Sequence, residues 1–422
     1  MEGKTKNILV LVEHAGQGGA EKVAATVAAL LAERSDYRVH FCTLYQPEKF
    51  PQIPGAGCSS LDLPTGGGIA GRVSRYWGAI SRLRAFKKEK SIDLTISSLW
   101  PTDWPNRLTG REKKIAVIQI NILNNPQNAL MVKARRLVSA VYRGFDKIVL
   151  GGSNLLPELR DFFGISAEKL QVIHNPVDTR RAAQQAQESP MPALEALFSG
   201  NQVLMAAHRL SPIKNTEALL RIFPQVRDTG AKLLIVGEGE EKEMLLSAAA
   251  AAGLSYCNLS TTAAPDLSAD VFFADFQNNL ASLLARATLF VFPTKGEGLP
   301  LVLLDAMTCG CPALVSDCPN GGISEIMESS VPYDPERPRT VPQKATGGYL
   351  MPIPENAEAD AIWARQIREL LQSDKQERDA LIAAGKARAA TFDVENIRQV
   401  WYRLTDSLLV PDRFFIESDE IL

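Results

Sequence analysis

Four side chains in the second half of this 422-residue sequence have types and spacings that suit chemistry on an anionic ligand. Arg209 and Lys214 stand five residues apart in HRLSPIKN, directly after the apolar run 202–207. Two cations at a strand end and a helix start can point into one mouth. Glu297 and Asp305 stand eight apart in EGLPLVLLD, after the apolar run 289–292. Between the two acids, Gly298, Leu299 and Pro300 lead into a helix. The fixed φ of Pro300 suits a first turn, where its missing N–H is not needed. Helix N-termini carry unpaired N–H groups and a partial positive charge, which again favours an anion. Gly310 is a stop signal for that helix, and residues 313–316 read as the next strand.

EGLPLVLLDAM, with CGCPALVSD after it, resembles the E-x7-E signature of retaining family 4 glycosyltransferases (glycosyl transferases group 1). RLSPIKN is similar to that family's R-x4-K pair. The resemblance implies an α/β, GT-B fold: two Rossmann-like, doubly wound domains facing a central cleft. It implies transfer of a sugar from a nucleotide sugar, UDP-linked, to an acceptor hydroxyl with retention of configuration. Glu297 is then the catalytic residue beside the sugar, Arg209 and Lys214 bind the donor diphosphate, and Asp305 holds the ribose. Asp305 stands where the family has Glu, so its reach is one methylene shorter. Fixed cations would stabilise the charge that a leaving nucleoside diphosphate gains.

Three further stretches carry the resemblance. GGAEKVAATVAALL is similar to the family's first loop and helix, where Gly18 and Gly19 let backbone approach the donor. VFFADFQNNL is similar to the segment that cups the nucleotide base, which makes Phe276 and Asn278 donor-binding residues together with Gly298, Leu299 and Pro300. Family members commonly carry a His after the strand at 115–120; here the chain reads VIQINIL, so Gln119 or Asn121 is the candidate sugar contact.

Bulk composition narrows the classes. A hydrophobic content of 45% with 22% charged residues is that of an ordinary globular protein, and the length suits two domains. Residues 1–181 carry a formal charge of +10 and residues 182–422 carry -12, so the halves are built for different partners. The six cysteines lack paired metal spacing, MEGKTKN lacks a signal-peptide apolar region, and no apolar run approaches membrane-spanning length. These features point to a cytoplasmic protein, peripheral at the inner face of the membrane. No D-x-D motif stands at a strand end, so no catalytic metal is expected, and no cofactor beyond the nucleotide sugar. Gly16-x-Gly18 is an incomplete dinucleotide fingerprint, because Glu21 stands at the third glycine position. Nucleic acid is not an expected partner.

Apolar runs at 7–13, 39–44, 93–97, 115–120 and 147–150 read as buried parallel strands. Residues 51–68 are Gly/Pro-rich and read as a loop. Residues 71–90 form a basic amphipathic helix in which Arg72, Arg75, Arg82, Lys87 and Lys88 accompany Trp77 and Phe86. That helix is either a solvated face or a surface for anionic lipid headgroups. The second reading fits a lipid-linked glycan acceptor in cell-surface polysaccharide assembly. The expected layout is an acceptor-side domain at 1–180, a linker at 181–200, a nucleotide-sugar domain at 201–390, and a helix within 391–422 that crosses back. Residues 329–346 read as an exposed, proline-rich insertion. A nucleotide-sugar epimerase would isomerise donor without acceptor, and a non-catalytic GT-B subunit would have no need to keep Glu297, Arg209 and Lys214 together.

Overall fold

The computed structural model describes residues 5–15, 18–65, 69–123, 128–261, 266–319, 321–328, 334 and 336–410. Gly16, Asn320, most of 329–335 and the tail beyond 410 lie outside the described residues. The chain forms two compact units, one of residues 1–176 with 394–422 and one of residues 177–393.

In the first unit, β1 (Lys6–Val12), β2 (Tyr37–Thr43), β3 (Ala56–Ser60), β4 (Leu94–Ser98), β5 (Lys113–Ile118), β6 (Lys147–Leu150) and β7 (Leu170–Val172) pair in parallel in the order β3-β2-β1-β4-β5-β6-β7. Ile8–Val12 are buried throughout, as expected of a strand covered on both faces. The helix Gly19–Ala32 lays Val23, Ala24, Val27, Ala28 and Leu31 on the sheet at helical spacing. The terminal helix Val394–Leu409 belongs to this unit and packs on Gly19–Ala32. It buries Ile397, Trp401 and Leu404, while Arg34 and the Tyr37 hydroxyl both donate to Asp406 at 2.8 and 2.7 Å.

In the second unit, the strands are β8 (Val203–Ala207), β9 (Lys232–Val236), β10 (Tyr256–Asn258), β11 (Val271–Ala274), β12 (Leu289–Phe292), β13 (Ala313–Ser316), β14 (Gln343–Ala345) and β15 (Gly348–Met351). Their order is β10-β11-β9-β8-β12-β13-β15-β14, and only the β14–β15 pair is antiparallel among the described residues. The chain order reverses between β8 and β12. Ligands of such sheets bind at the carboxyl ends of the strands flanking a reversal of this kind.

Four expectations change. Residues 51–68 contain β3, which pairs with β2 despite its Gly and Ser content. The linker at 181–200 is instead two short helices within the second unit, Thr179–Gln185 and Pro192–Phe198, with Leu194 and Leu197 wholly buried in its core. The insertion at 329–346 is not simply exposed, because its last part supplies β14. The basic helix runs Ile69–Glu89, and Lys87 is turned inward with 4% exposure. It follows Ala79, Ile80 and Leu83 on the buried face, so it cannot meet lipid. The side chains of Arg72 and Arg75 lie outside the described residues. Among the described residues, no helix is long and apolar enough to cross a membrane.

Candidate active site

The second-unit site is assembled from the loops that leave β8 and β12, the two strands at the reversal. After β8, Ser211 leads into the single 3-10 turn Pro212–Lys214, and Asn215 closes it in the left-handed region at φ 54°. Asn tolerates that conformation better than most residues. Its buried side-chain amide donates to the carbonyls of Pro293 and Pro354 at 3.2 and 3.4 Å, which fastens the cation loop to the exit of β12. Thr294 Oγ1 and the Lys295 amide both donate to the Ile213 carbonyl, at 3.1 and 2.8 Å. The two loops are therefore zipped together by backbone-directed bonds before any charge is considered.

That zipper brings Lys214 and Glu297 into contact: Lys214 Nζ donates to Glu297 Oε1. Thr294 Oγ1 lies 3.3 Å from the same oxygen, and the Lys214 ammonium sits 5.4 Å from the Phe292 ring centroid. Arg209 is 73% exposed and its guanidinium pairs with Glu240 at 3.0 Å. The two cations thus rest on separate carboxylates, one inside the site and one at its rim.

Pro300 caps the helix Leu301–Cys309, and Gly310 ends it at φ 78°, the left-handed C-terminal position that glycine takes most easily. Gly298 and Leu299 form the turn before it. Asp305 lies in the second turn of this helix and is half-buried; the burial of Cys309 itself and, less, the Asp305 charge push the Cys309 thiol up to about 12. Phe276 and Asn278 follow β11 and are exposed, and the Phe276 amide donates to Glu238 Oε1 at 3.3 Å.

His208 was given no role by the sequence, yet it sits at the end of β8 beside this site. Its ring packs 5.4 Å from Phe292, and Nδ1 lies 3.1 Å from the Arg209 carbonyl. Nε2 is buried without a hydrogen-bond partner. Burial, with the nearby Lys214 charge, lowers its pKa to about 3, so the imidazole is neutral and Nδ1 carries the proton that Arg209 O accepts. Only its position next to Arg209 could have flagged it.

The first-unit candidates are set by that unit alone. Gly18 caps the helix Gly19–Ala32, and the Glu21 carboxylate folds over it so that a Cβ there would come within 2.2 Å of Oε2. Gly19 has open space around it. Gln119 and Asn121 are both buried just beyond β5. Asn121 hydrogen-bonds to Glu158, which also accepts from the Ile122 amide at 2.8 Å. Gln119 Nε2 is buried without a partner, which makes Gln119 the better placed of the two for a new contact.

A family model described as glycosyl transferases group 1 matches residues 201–373, and one described as Glycosyltransferase Family 4 matches residues 17–181. The chain is 23% identical over 333 residues to the N-acetylgalactosamine-N,N'-diacetylbacillosaminyl-diphospho-undecaprenol 4-alpha-N-acetylgalactosaminyltransferase of Campylobacter jejuni, covering 74% of this chain and 81% of that protein. It is 27% identical to the amylovoran biosynthesis glycosyltransferase AmsD of Erwinia amylovora, over 48% of this chain and 47% of the relative. Among solved structures, Alr3699/HepE of Anabaena in complex with UDP and glucose superposes with a TM-score of 0.69 at 18% identity, covering 96% of this chain and 100% of that one. Sucrose-phosphate synthase of Thermosynechococcus elongatus superposes with a TM-score of 0.74 at 17% identity, with the same coverage.

Proposed function

We propose a reaction for this chain, which belongs to the glycosyltransferases of group 1 and family 4 and has their two-domain, Rossmann-like GT-B fold. It takes a sugar from a UDP-linked donor and transfers it, with retention, to a hydroxyl of a lipid-linked glycan in cell-surface polysaccharide assembly. The observation that carries this reading is the contact between Lys214 and Glu297, 83 residues apart in sequence, at the strand reversal. A cation for the leaving diphosphate and an acid for the sugar must sit within one donor's reach of each other, and these two do.

The remaining roles follow the same frame. Arg209 shares the diphosphate after leaving Glu240, Asp305 holds the ribose, and Phe276 and Asn278 border the base. Gly298 and Leu299 bring backbone N–H groups to the donor, and Pro300 starts the helix behind them. In the first unit, Gly18 and Gly19 are assigned to donor approach and Gln119, ahead of Asn121, to a sugar hydroxyl. The two cations carry the charge of the leaving group, so the reaction is proposed to need no metal. UDP is favoured because one protein of the same fold holds UDP and glucose. A lipid-diphosphate acceptor is favoured because the Campylobacter jejuni relative's name specifies one.

The test is a thermal-shift panel of UDP-, ADP-, GDP- and TDP-sugars, followed by UDP release with undecaprenyl-diphosphate glycans, with and without EDTA. A UDP-sugar should stabilise the chain, and release should require acceptor and survive EDTA. A new sugar formed from donor alone would make the chain an epimerase, and loss of activity in EDTA would end the metal-free reading.

A further inference from the structure

The proline-rich stretch at 329–346 sends one side chain back toward the site. Arg339 is 11% exposed and places Nη2 2.8 Å and Nε 3.0 Å from Asp317 Oδ2. Asp317 is 3% exposed, and its other oxygen accepts from Ser324 Oγ at 2.6 Å. Both carboxylate oxygens are therefore occupied, and the guanidinium is the only cation within salt-bridge distance of Asp317 among the described residues. A buried carboxylate that loses its cation is costly, so this pair constrains everything attached to it.

What is attached is the loop bearing Glu297. Asp317 directly follows β13, and the next residue, Cys318, is buried with the Glu297 backbone beside its thiol. Ser324 belongs to the short helix Gly322–Ile326, whose first residue packs so closely on Gly298 that a Cβ there would lie 1.5 Å from the Gly298 carbonyl oxygen. The Glu297–Gly298 peptide is thus gripped by Cys318 on one strand exit and Gly322 on the helix, and the Asp317 carboxylate ties those two supports to Arg339.

We propose that Arg339 is a positioning residue for transfer, holding the Glu297–Gly298 backbone in register through Asp317. This rests on the reading above only in placing Glu297 beside the donor sugar. The contacts that grip the loop are made to its backbone, so releasing them shifts the carboxylate without removing it. A misplacement of about 1 Å at a reacting group can cost about 100-fold in rate. The cations that hold the diphosphate come from the other loop, so donor binding loses only the weaker Gly298 and Leu299 amide contacts and the larger loss falls on turnover.

The experiment uses the full chain carrying Asp317→Asn with Arg339→Met, a pair that removes both buried charges together and so keeps the fold where Arg339→Met alone could lose it. Amide hydrogen exchange, read without any donor, should be about 10-fold or more faster at residues 295–299, with the β12 and β13 core unchanged. Turnover of the best sugar nucleotide from the panel should fall about 10- to 100-fold with its KM raised by no more than about threefold. Arg339→Lys, which keeps the charge but not the fork, should fall between. Wild-type exchange at 295–299 would overturn the proposal, and so would faster exchange with wild-type turnover. Because the exchange needs no ligand, it decides the grip on the loop even where the wild-type chain binds no UDP-sugar.

Discussion

At the scale of single residues, the contact between Lys214 and Glu297 changes what a substitution at either position should do. In the proposed roles Lys214 is shared between Glu297 and an incoming diphosphate, so Glu297→Gln would free the cation while removing the charge assigned to the sugar. Turnover should drop by about 100-fold or more while UDP affinity, measured by calorimetry, holds or rises slightly. A parallel loss of UDP affinity would make Glu297 a binding residue. Lys214→Ala should weaken UDP instead, by about 1.5–3 kcal/mol for a lost charge-assisted contact. His208 sets a pH dependence. Its folded pKa of about 3 lies below the unfolded value near 6.5, so between them the unfolded chain binds more protons. Stability from this site is therefore fully present above pH 6.5 and lost as pH falls toward 3. Thermal unfolding of His208→Phe from pH 7 to pH 4 should show a shallower acid decline than wild type; equal slopes would refute the buried neutral imidazole.

At the scale of elements, the inward turn of Lys87 shows a helix anchored by a polar core. Lys87 Nζ donates to Asn106 Oδ1 and Glu112 Oε1 at 2.6 Å and to Thr109 Oγ1 at 2.9 Å, and Lys114 reaches the same Glu112 at 3.3 Å. The network pins the helix Ile69–Glu89 to the end of the helix Trp100–Arg107 and to the segment that follows it. Burial, outweighing the attraction of Glu112, lowers the Lys87 pKa from 10.5 to about 8. Between those values the unfolded chain again binds more protons, so this site's contribution to stability rises with pH from about 8 to 10.5. Across that window wild type should gain up to about 3 kcal/mol relative to Lys87→Met. At pH 7, Lys87→Met should destabilise by about 3 kcal/mol, since Glu112 then keeps only Lys114 and the Thr95 hydroxyl. Melting curves of both proteins at pH 7, 8.5 and 10 check both statements, and a constant gap would show that Lys87 titrates normally.

At the scale of the whole molecule, a charge of +10 on residues 1–181 still asks for an anionic partner, but through different side chains. Trp77, Arg84 and Lys88 stay exposed on the helix Ile69–Glu89. Leu130 and Leu137 are exposed on the helices Ala129–Lys133 and Arg135–Arg143, among Lys133, Arg135 and Arg136. Apolar residues left in solvent among cations suit a surface that enters the headgroup layer. We expect the chain to float with anionic vesicles at low salt and to be released as salt shortens the Debye length from about 10 Å at 0.1 M to about 3 Å at 1 M. A variant with Leu130, Leu137, Lys133 and Arg136 changed to Gln should stay unbound. Equal flotation of variant and wild type would place the contact elsewhere, and no wild-type flotation would point to a soluble acceptor.

The family, the two-domain α/β architecture and the short motifs are legible in the sequence, because a strand, its turn glycines and a helix start lie within one stretch of chain. RLSPIKN and EGLPLVLLD were legible for that reason, as were β12 and β13 to the residue. Tertiary structure alone decided what those motifs meet. β3 is a strand because β2 offers it a parallel edge, not because its residues favour extension. Residues 181–200 are helical because Leu194 and Leu197 find a core, which an Ala/Gln/Pro-rich composition conceals. Lys87 has the same letter as Lys88, and only the packing of Leu83 and Ile80 turns one inward and leaves the other in water. The pairing of Lys214 with Glu297 and the grip of Arg339 on Asp317 depend on strand order, a property of the folded sheet that no local window of sequence contains.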